Sequence, residues 1–116
     1  MCALSAPFSV RAFDVADATG GVATDVRVEV EGELDIATAD ELERAVWPLI
    51  ARRPERIVVD FAGLTFCDSS GTRTMISLYR EAQRAGTQFV IVAARHEVRR
   101  IFEIVQLGQL LDAADE

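Results

Sequence analysis

One short stretch of the chain, Asp68-Ser69-Ser70-Gly71, combines side chains that suit covalent chemistry at a helix start. The apolar, β-branched run 57–61 before it predicts a buried strand, and apolar residues at helical spacing over 75–82 predict a following helix. Short oxygen-bearing side chains accept hydrogen bonds from the free N–H groups of a first helical turn, and the helix dipole favours an anion there. The pattern therefore predicts a serine hydroxyl displayed where a phosphate is electrostatically tolerated.

The same four residues also fit a simpler role as a helix cap and a turn. Ser and Asp are common at both places without any chemistry attached. Local pattern alone favours this simpler interpretation, so features elsewhere in the chain must decide between the two.

Other chemistries lack the residues that they require. The single histidine, His96, and the absence of a Gly-x-Ser-x-Gly turn argue against a serine hydrolase. One His and two distant Cys make no metal-ligand set, so we expect no metal and no cofactor. Cys67 is interpreted as a small buried hydrophobe, with redox sensing as an alternative. All 12 basic residues are Arg, so a phosphate-binding loop or a receiver domain lacks its Lys, and Asp60 more plausibly helps to cap or bend the loop after its strand.

Composition predicts one folded domain over residues 1–116, with an ordered core over about 8–112. The net charge of -7 argues against direct binding to nucleic acid or an anionic membrane and favours a partner with a basic surface. No apolar run approaches the ~20 residues of a membrane span, and no secretory signal is apparent. With only two cysteines, a cytoplasmic location is expected.

Periodicity predicts the order strand, strand, helix, strand, helix, strand, helix. The strands are expected over 8–15, with a bulge at Ala12–Phe13, and over 26–30, 57–61 and 89–92. A turn at 17–21 makes the first two strands an antiparallel hairpin. The first helix is expected to open with a capping box, Thr38 to Glu41, and to end irregularly after Pro48. The second is expected to end before Gly86, and the third, over 98–105, before Gly108.

These elements predict an α/β fold in a single domain. Continuous apolar strands bracketed by helices favour parallel pairing with right-handed crossovers. We therefore expect a mixed sheet of four to five strands, with helices packed mainly on one face. Leu110-Leu111 is expected to add an edge strand or begin a last helix, and the acidic tail to be mobile.

Two segments taken together resemble a known family. Gly32-Glu33-Leu34-Asp35 follows the second predicted strand, and the run Asp60-Phe-x-Gly63-Leu64-x-Phe66-x-Asp68-Ser69-Ser70-Gly71 includes and follows the third. With this pair of motifs and this order of elements, the chain from about Phe8 to Leu111 resembles the STAS-domain anti-anti-sigma factors, also called anti-sigma factor antagonists. The resemblance implies a STAS fold and a regulatory binding protein, not an enzyme.

The resemblance further implies a phosphorylation switch in a partner-switching pathway that regulates transcription, as in stress responses. The serine after the Asp, Ser69, is the implied acceptor. A serine-kinase anti-sigma factor would phosphorylate it from ATP, and a PP2C-type phosphatase would remove the phosphate. The unphosphorylated form would bind the kinase and release a sigma factor. The implied partner-binding residues are Gly32, Glu33, Leu34, Asp35, Asp68, Ser70, Gly71, Thr72 and Arg73.

The chain departs from the family pattern at Thr72-Arg73, where a small apolar pair such as Leu-Gly is usual. Arg73 is unfavourable beside the positive end of a helix dipole but suits a phosphate, or it recognises a different partner. Two other functions stay open. One is a STAS subunit of another signalling, stress-sensing or transporter-linked complex. The other is a small enzyme or ligand-binding domain in which Asp-Ser-Ser-Gly is accidental.

Overall fold

The structure is a computed structural model that describes residues 7–15 and 25–104. Its strands are β1 (Ser9–Val15), β2 (Asp25–Leu34), β3 (Arg56–Cys67) and β4 (Gln88–Val92), and its helices are α1 (Ala39–Ala51), α2 (Ser69–Arg84) and α3 (His96–Ile104). The predicted order of elements is confirmed. The predicted turn at 17–21, Gly108, the Leu110-Leu111 segment and the acidic tail lie outside the described residues.

The four strands form one mixed sheet in the order β1-β2-β3-β4. β1 pairs antiparallel with β2, as the predicted hairpin requires, whereas β3 lies parallel to both β2 and β4. Parallel pairing brings the ends of β2 and β3 to the same edge of the sheet. The two segments that carry the sequence motifs therefore leave the sheet side by side, immediately before α1 and α2.

One face of the sheet and all three helices share a single core. Alternate residues of β2, β3 and β4 pack with the buried stripes of the helices, and the rings of Phe61 and Phe102 lie 6.4 Å apart between β3 and α3. The opposite face carries polar links, including Arg27 to Asp60 at 2.7 Å and Arg11 to Glu29. The helices therefore pack on one face of the sheet, as predicted. The core strand residues are Val26, Val28, Val30, Ile57, Val59, Phe61, Phe89 and Ile91.

β3 is much longer than its predicted extent of 57–61. It holds one extra residue relative to β2 between the pairs Glu29↔Asp60 and Glu31↔Gly63, and another between Gly32↔Leu64 and Glu33↔Phe66. Each insertion breaks the alternation of side chains, so periodicity indicates only the first part of the strand. At the first insertion the Asp60 carboxylate accepts the Ala62 N–H at 2.8 Å, consistent with the expected bend after Asp60.

Two local predictions are wrong. β1 keeps an unbroken register with β2 from Ser9↔Glu31 to Val15↔Asp25, so it has no bulge at Ala12–Phe13. Residues 11–15 are all exposed, so the irregularity in their alternation of apolar and polar residues does not mark a bulge that turns side chains to the other face of the sheet. Thr38 is the N-cap of α1, but its side chain makes no capping bond, so the Thr38–Glu41 capping box does not form.

The Thr38 hydroxyl instead holds the turn that connects β2 to α1. It donates to the Glu33 carbonyl at 2.8 Å and accepts the Asp35 N–H at 2.9 Å. These bonds use the hydroxyl before the helix begins, which is why it does not cap the first turn.

The ends of α1 and α2 follow their predicted signals. After Pro48, α1 closes with short-range bonds from Arg52 N–H to the Leu49 carbonyl (3.2 Å) and from Arg53 N–H to the Ile50 carbonyl (2.9 Å). This is the irregular last turn expected after a proline. α2 stops before Gly86, whose φ of 78° lies in the left-handed region that glycine adopts most readily.

Candidate functional site

The start of α2 is defined by Asp68. This residue is the N-cap in extended backbone conformation, and its carboxylate accepts the Gly71 N–H at 3.0 Å. Its carbonyl accepts both the Thr72 N–H at 2.9 Å and the Thr72 hydroxyl at 3.0 Å. The predicted helix start is confirmed, and the cap is supplied by Asp68, which leaves the serines free of that role.

Three hydroxyl residues follow the cap, and their exposure differs. Ser69 is the first residue of α2 and is exposed, Ser70 is half-buried, and Thr72 is only 5% exposed. Within the described part of the chain, no hydrogen bond involves the Ser69 hydroxyl. Of the three, Ser69 is the most exposed to solvent.

The two sequence motifs lie side by side, although they are more than 30 residues apart in the chain. Leu34 pairs with Cys67 in the sheet, the Asp68 N–H donates to the Leu34 carbonyl at 3.1 Å, and the Thr65 hydroxyl donates to the Gly32 carbonyl at 3.2 Å. These bonds attach the turn after β2 to the turn that presents Ser69.

The residues implied as partner-binding divide into an exposed group and an internal group. The buried group lies beneath the surface of the site and supports it; its members are Gly32, Leu34, Gly71 and Thr72. Side chains that reach the surface belong to Glu33, Asp35, Asp68, Ser70 and Arg73.

Asp35 already has a structural task in this turn. Its carboxylate accepts the Ala37 N–H at 2.9 Å and the Thr38 N–H at 3.2 Å, while its carbonyl accepts the Ala39 N–H at 2.8 Å. The acidic side chain is therefore held in one place at the entrance of α1, half-buried beside the exposed Glu33.

Cys67 lies beneath the site and is 2% exposed. Burial, reinforced by the nearby Asp68 charge, raises the pKa of the Cys67 thiol above its ordinary value of 9.0, although a contact with the Thr72 hydroxyl at 3.7 Å opposes that rise. Because the thiolate is the reactive form, this environment weighs against redox sensing by Cys67.

The raised pKa of Cys67 predicts a loss of stability in alkali. The folded chain holds the thiol proton to a higher pH than the unfolded chain, so the stabilisation is complete below about pH 9 and falls as the pH rises further. Urea unfolding between pH 7 and 10.5 should show a steeper decline for the native chain than for Cys67→Ala, by up to ~1.4 kcal/mol per pH unit. Parallel curves for the two proteins would contradict this reading of the thiol.

A groove runs from Ser69 along the space between α2 and α3. Its volume is about 370 Å³, and it is bordered by Ser69, Arg73 and Ile76 of α2 and by Ile101 of α3. A second groove, of about 420 Å³, lies on the α1 side of Arg73 and carries the acidic residues Asp40 and Glu43. Arg73 therefore stands on the ridge between two grooves.

Sequence reasoning missed two apolar side chains near the site. Ile36 is 79% exposed in the turn after Asp35, and Phe66 is 47% exposed two residues before Asp68. Phe66 lies inside the second motif and Ile36 directly follows the first, but nothing in the sequence indicated that they face solvent.

Residues 7–15 and 25–104 contain no group of three His, Cys, Asp or Glu side chains arranged to hold a metal ion. No helix within these ranges is long and apolar enough to cross a membrane.

The sheet order, the one-sided helices and the strand–cap–helix site define a STAS domain. The chain belongs to the STAS domain family, whose model matches residues 15–115. The predicted family resemblance and fold class are confirmed.

Relatives of the chain include anti-sigma factor antagonists. The chain is 27% identical over 84 residues to the anti-sigma-B factor antagonist of Staphylococcus aureus (strain NCTC 8325 / PS 47), which covers 72% of this chain and 78% of the relative. An anti-sigma factor antagonist from Mycobacterium paratuberculosis matches with a TM-score of 0.75 and 28% identity, covering 95% of this chain and 91% of that one.

The anti-sigma factor antagonist SpoIIAA shares the fold at lower identity. Its unphosphorylated form matches with a TM-score of 0.71 and 21% identity over 91% of this chain and 86% of SpoIIAA. The phosphorylated form of the Bacillus protein matches with a TM-score of 0.66 and 20% identity over 91% of this chain and 89% of that one.

Proposed function

We propose that this chain is an anti-sigma factor antagonist controlled by phosphorylation of Ser69. In its unphosphorylated form it binds a serine-kinase anti-sigma factor, which then releases a sigma factor. The observation that carries the proposal is the exposed, unbonded hydroxyl of Ser69 at the first position of α2, beside a serine and a threonine that are less accessible. The names of the Staphylococcus and Mycobacterium relatives support the same role.

The reaction at Ser69 is a phosphoryl transfer from ATP that the partner kinase holds. The serine oxygen forms a bond to the γ-phosphorus, the bond to the β-phosphate oxygen breaks, the hydroxyl proton is lost, and ADP leaves. A PP2C-type phosphatase reverses the modification by hydrolysis. The chain itself supplies an accessible acceptor and a rigid helix start, and it is the substrate in both steps.

Phosphorylation ends binding through local charge. A phosphate adds about -1.5 to -2 charges at pH 7. It stands next to Asp68 on a chain whose net charge is already -7. Inside a protein interface these charges repel one another and must be desolvated, while the core under α2 is untouched because Ser69 points outward. The switch therefore acts on the docking surface and leaves the fold intact.

The exposed members of the two motifs form the docking surface in this proposal. Glu33, Asp35 and Ser70 present polar groups, and Ile36 and Phe66 add apolar area beside them. Apolar side chains surrounded by polar ones are typical of protein interfaces. An acidic chain with this surface suits a kinase whose facing side is basic.

Affinity capture tests the proposal. The unphosphorylated chain is used as bait, and we expect it to retain an ATP-dependent serine kinase. After addition of ATP, mass spectrometry should locate one phosphate, on Ser69, and Ser69→Ala should be captured equally well but stay unmodified. Phosphate on Ser70 or Thr72, or capture of a signalling complex that contains no kinase, would overturn the assignment.

A further inference from the structure

Arg73 lies one turn after Ser69 on the same side of α2. Both residues are exposed, and both border the groove between α2 and α3. Arg73 makes no ion pair with any residue of the described ranges, although acidic residues stand on either side of it. Arg73 is therefore a cation that lies near the Ser69 hydroxyl and has no ion-pair partner among the described residues.

Helix geometry directs the Arg73 side chain toward Ser69. Residues four apart on a helix face one another, with about 5–6 Å between their Cβ atoms. Long helical side chains lean toward the N-terminus of the helix, which brings the turn that Ser69 begins within reach of the Arg73 guanidinium. An acidic group followed four residues later by a basic one is the more favourable order of such a pair.

We propose that Arg73 is the internal partner of a phosphate on Ser69, donating guanidinium N–H groups to the phosphate oxygens across one turn of α2. The inference rests on the proposed modification of Ser69 and adds a regulatory element to it. The pairing fixes the phosphate against the groove and offsets part of the charge that it brings.

Three acidic side chains border the same grooves as Arg73 and are the alternative partners for its charge. Asp68 borders the same groove but already accepts the Gly71 N–H, while Asp40 and Glu43 line the groove on the α1 side. None of these lies within ion-pair distance of Arg73. A phosphate carries more charge than one carboxylate and has three acceptor oxygens arranged for the arginine fork, so it is the preferred partner.

A phosphate titration tests this pairing without any kinase. The full chain is made with phosphoserine incorporated at position 69 during translation, and the pKa of the phosphate is followed by phosphorus NMR. A paired guanidinium stabilises the dianion, so we expect Arg73→Gln to raise that pKa by about half a pH unit. Arg73→Lys keeps the charge without the fork and should give a smaller rise.

Arg80 supplies the matched control. It is an exposed arginine on the same helix, eleven residues after Ser69 and therefore about 16 Å away along the axis. Arg80→Gln removes the same charge, so it should leave the titration within about a tenth of a pH unit of the native curve. Equal curves for Arg73→Gln and Arg80→Gln would overturn the proposal. Failure to capture a kinase would instead count against the proposed function and leave this readout unaffected.

Discussion

Ser69→Asp is expected to weaken binding of the anti-sigma partner by about 100-fold, which corresponds to ~2.7 kcal/mol of binding free energy. Ser69→Ala should bind as the unphosphorylated chain does and should resist release by ATP. The effect arises because a fixed negative charge is placed next to Asp68 inside the docking surface, where it must be desolvated on binding. Titration calorimetry with the purified partner measures both variants.

A charge placed elsewhere on α2 separates this effect from a change in net charge. Gln83 is exposed near the other end of the helix, about 21 Å along the axis from Ser69, so Gln83→Glu adds one negative charge far from the site. It should change the dissociation constant by less than about threefold. Equal weakening by Gln83→Glu and Ser69→Asp would show that overall charge, not the position of Ser69, controls binding.

Ser69→Asp should not unfold the chain. A carboxylate in the first turn of a helix interacts favourably with the helix dipole, typically by about 0.3–1 kcal/mol. The urea midpoint of Ser69→Asp is therefore expected to equal or exceed that of the native chain. A large drop in that midpoint would mean that Ser69→Asp loses binding because the chain unfolds.

Gly71→Val is expected to lower the free energy of unfolding by about 3 kcal/mol. A Cβ atom at position 71 would lie 2.6 Å from Cγ of Leu34 and 3.0 Å from Sγ of Cys67, and both of these side chains are buried. Replacement of a helical glycine by alanine usually stabilises a helix by up to about 1 kcal/mol. At position 71 the close contact with Leu34 outweighs that gain, so we expect even Gly71→Ala to lower the free energy of unfolding. Urea unfolding at neutral pH measures the change.

Two further variants test the cause. The three atoms nearest to a Cβ at position 63 all belong to the exposed side chain of Glu31, and the closest of them, Cγ, can rotate away, so the effect of Gly63→Ala should be clearly smaller. Gly71→Ala combined with Leu34→Ala should be less destabilising than the sum of the single changes, because the shortened side chain makes room for the new methyl group. Strict additivity would place the cost of Gly71→Ala somewhere other than its contact with Leu34.

Sequence patterns were sufficient to predict the elements whose apolar residues face one core. α2 is the clearest case, because Asp68 marks its start, Met75 and Leu78 mark its buried stripe, and Gly86 marks its end. The position of Ser69 at that start followed from the same signals. The parallel pairing of β3 with its neighbours followed from its continuous apolar run, of which Ile57, Val59 and Phe61 face the core that the helices cover.

Features that depend on contacts between distant residues could not be predicted. The full length of β3 was hidden by its two insertions, since neither has a sequence signature apart from its pairing with β2. The hydroxyl of Thr38 had two plausible uses, and only the backbone of the β2–α1 turn selects the one observed. The grooves on either side of Arg73 depend on how three helices pack, which no local pattern encodes.

The two extra residues of β3 have a consequence for how this segment tolerates indels. Buried positions follow the sequence Phe61, Leu64, Cys67, each step being three residues where a regular strand takes two. Each insertion is absorbed where it occurs, because pairing with β2 resumes on its far side and the next buried residue again faces the core. Losing the extra residue of either insertion would return that step to two residues and leave every later side chain opposite the same β2 partner, so single-residue length variation among homologues should be tolerated at these two points.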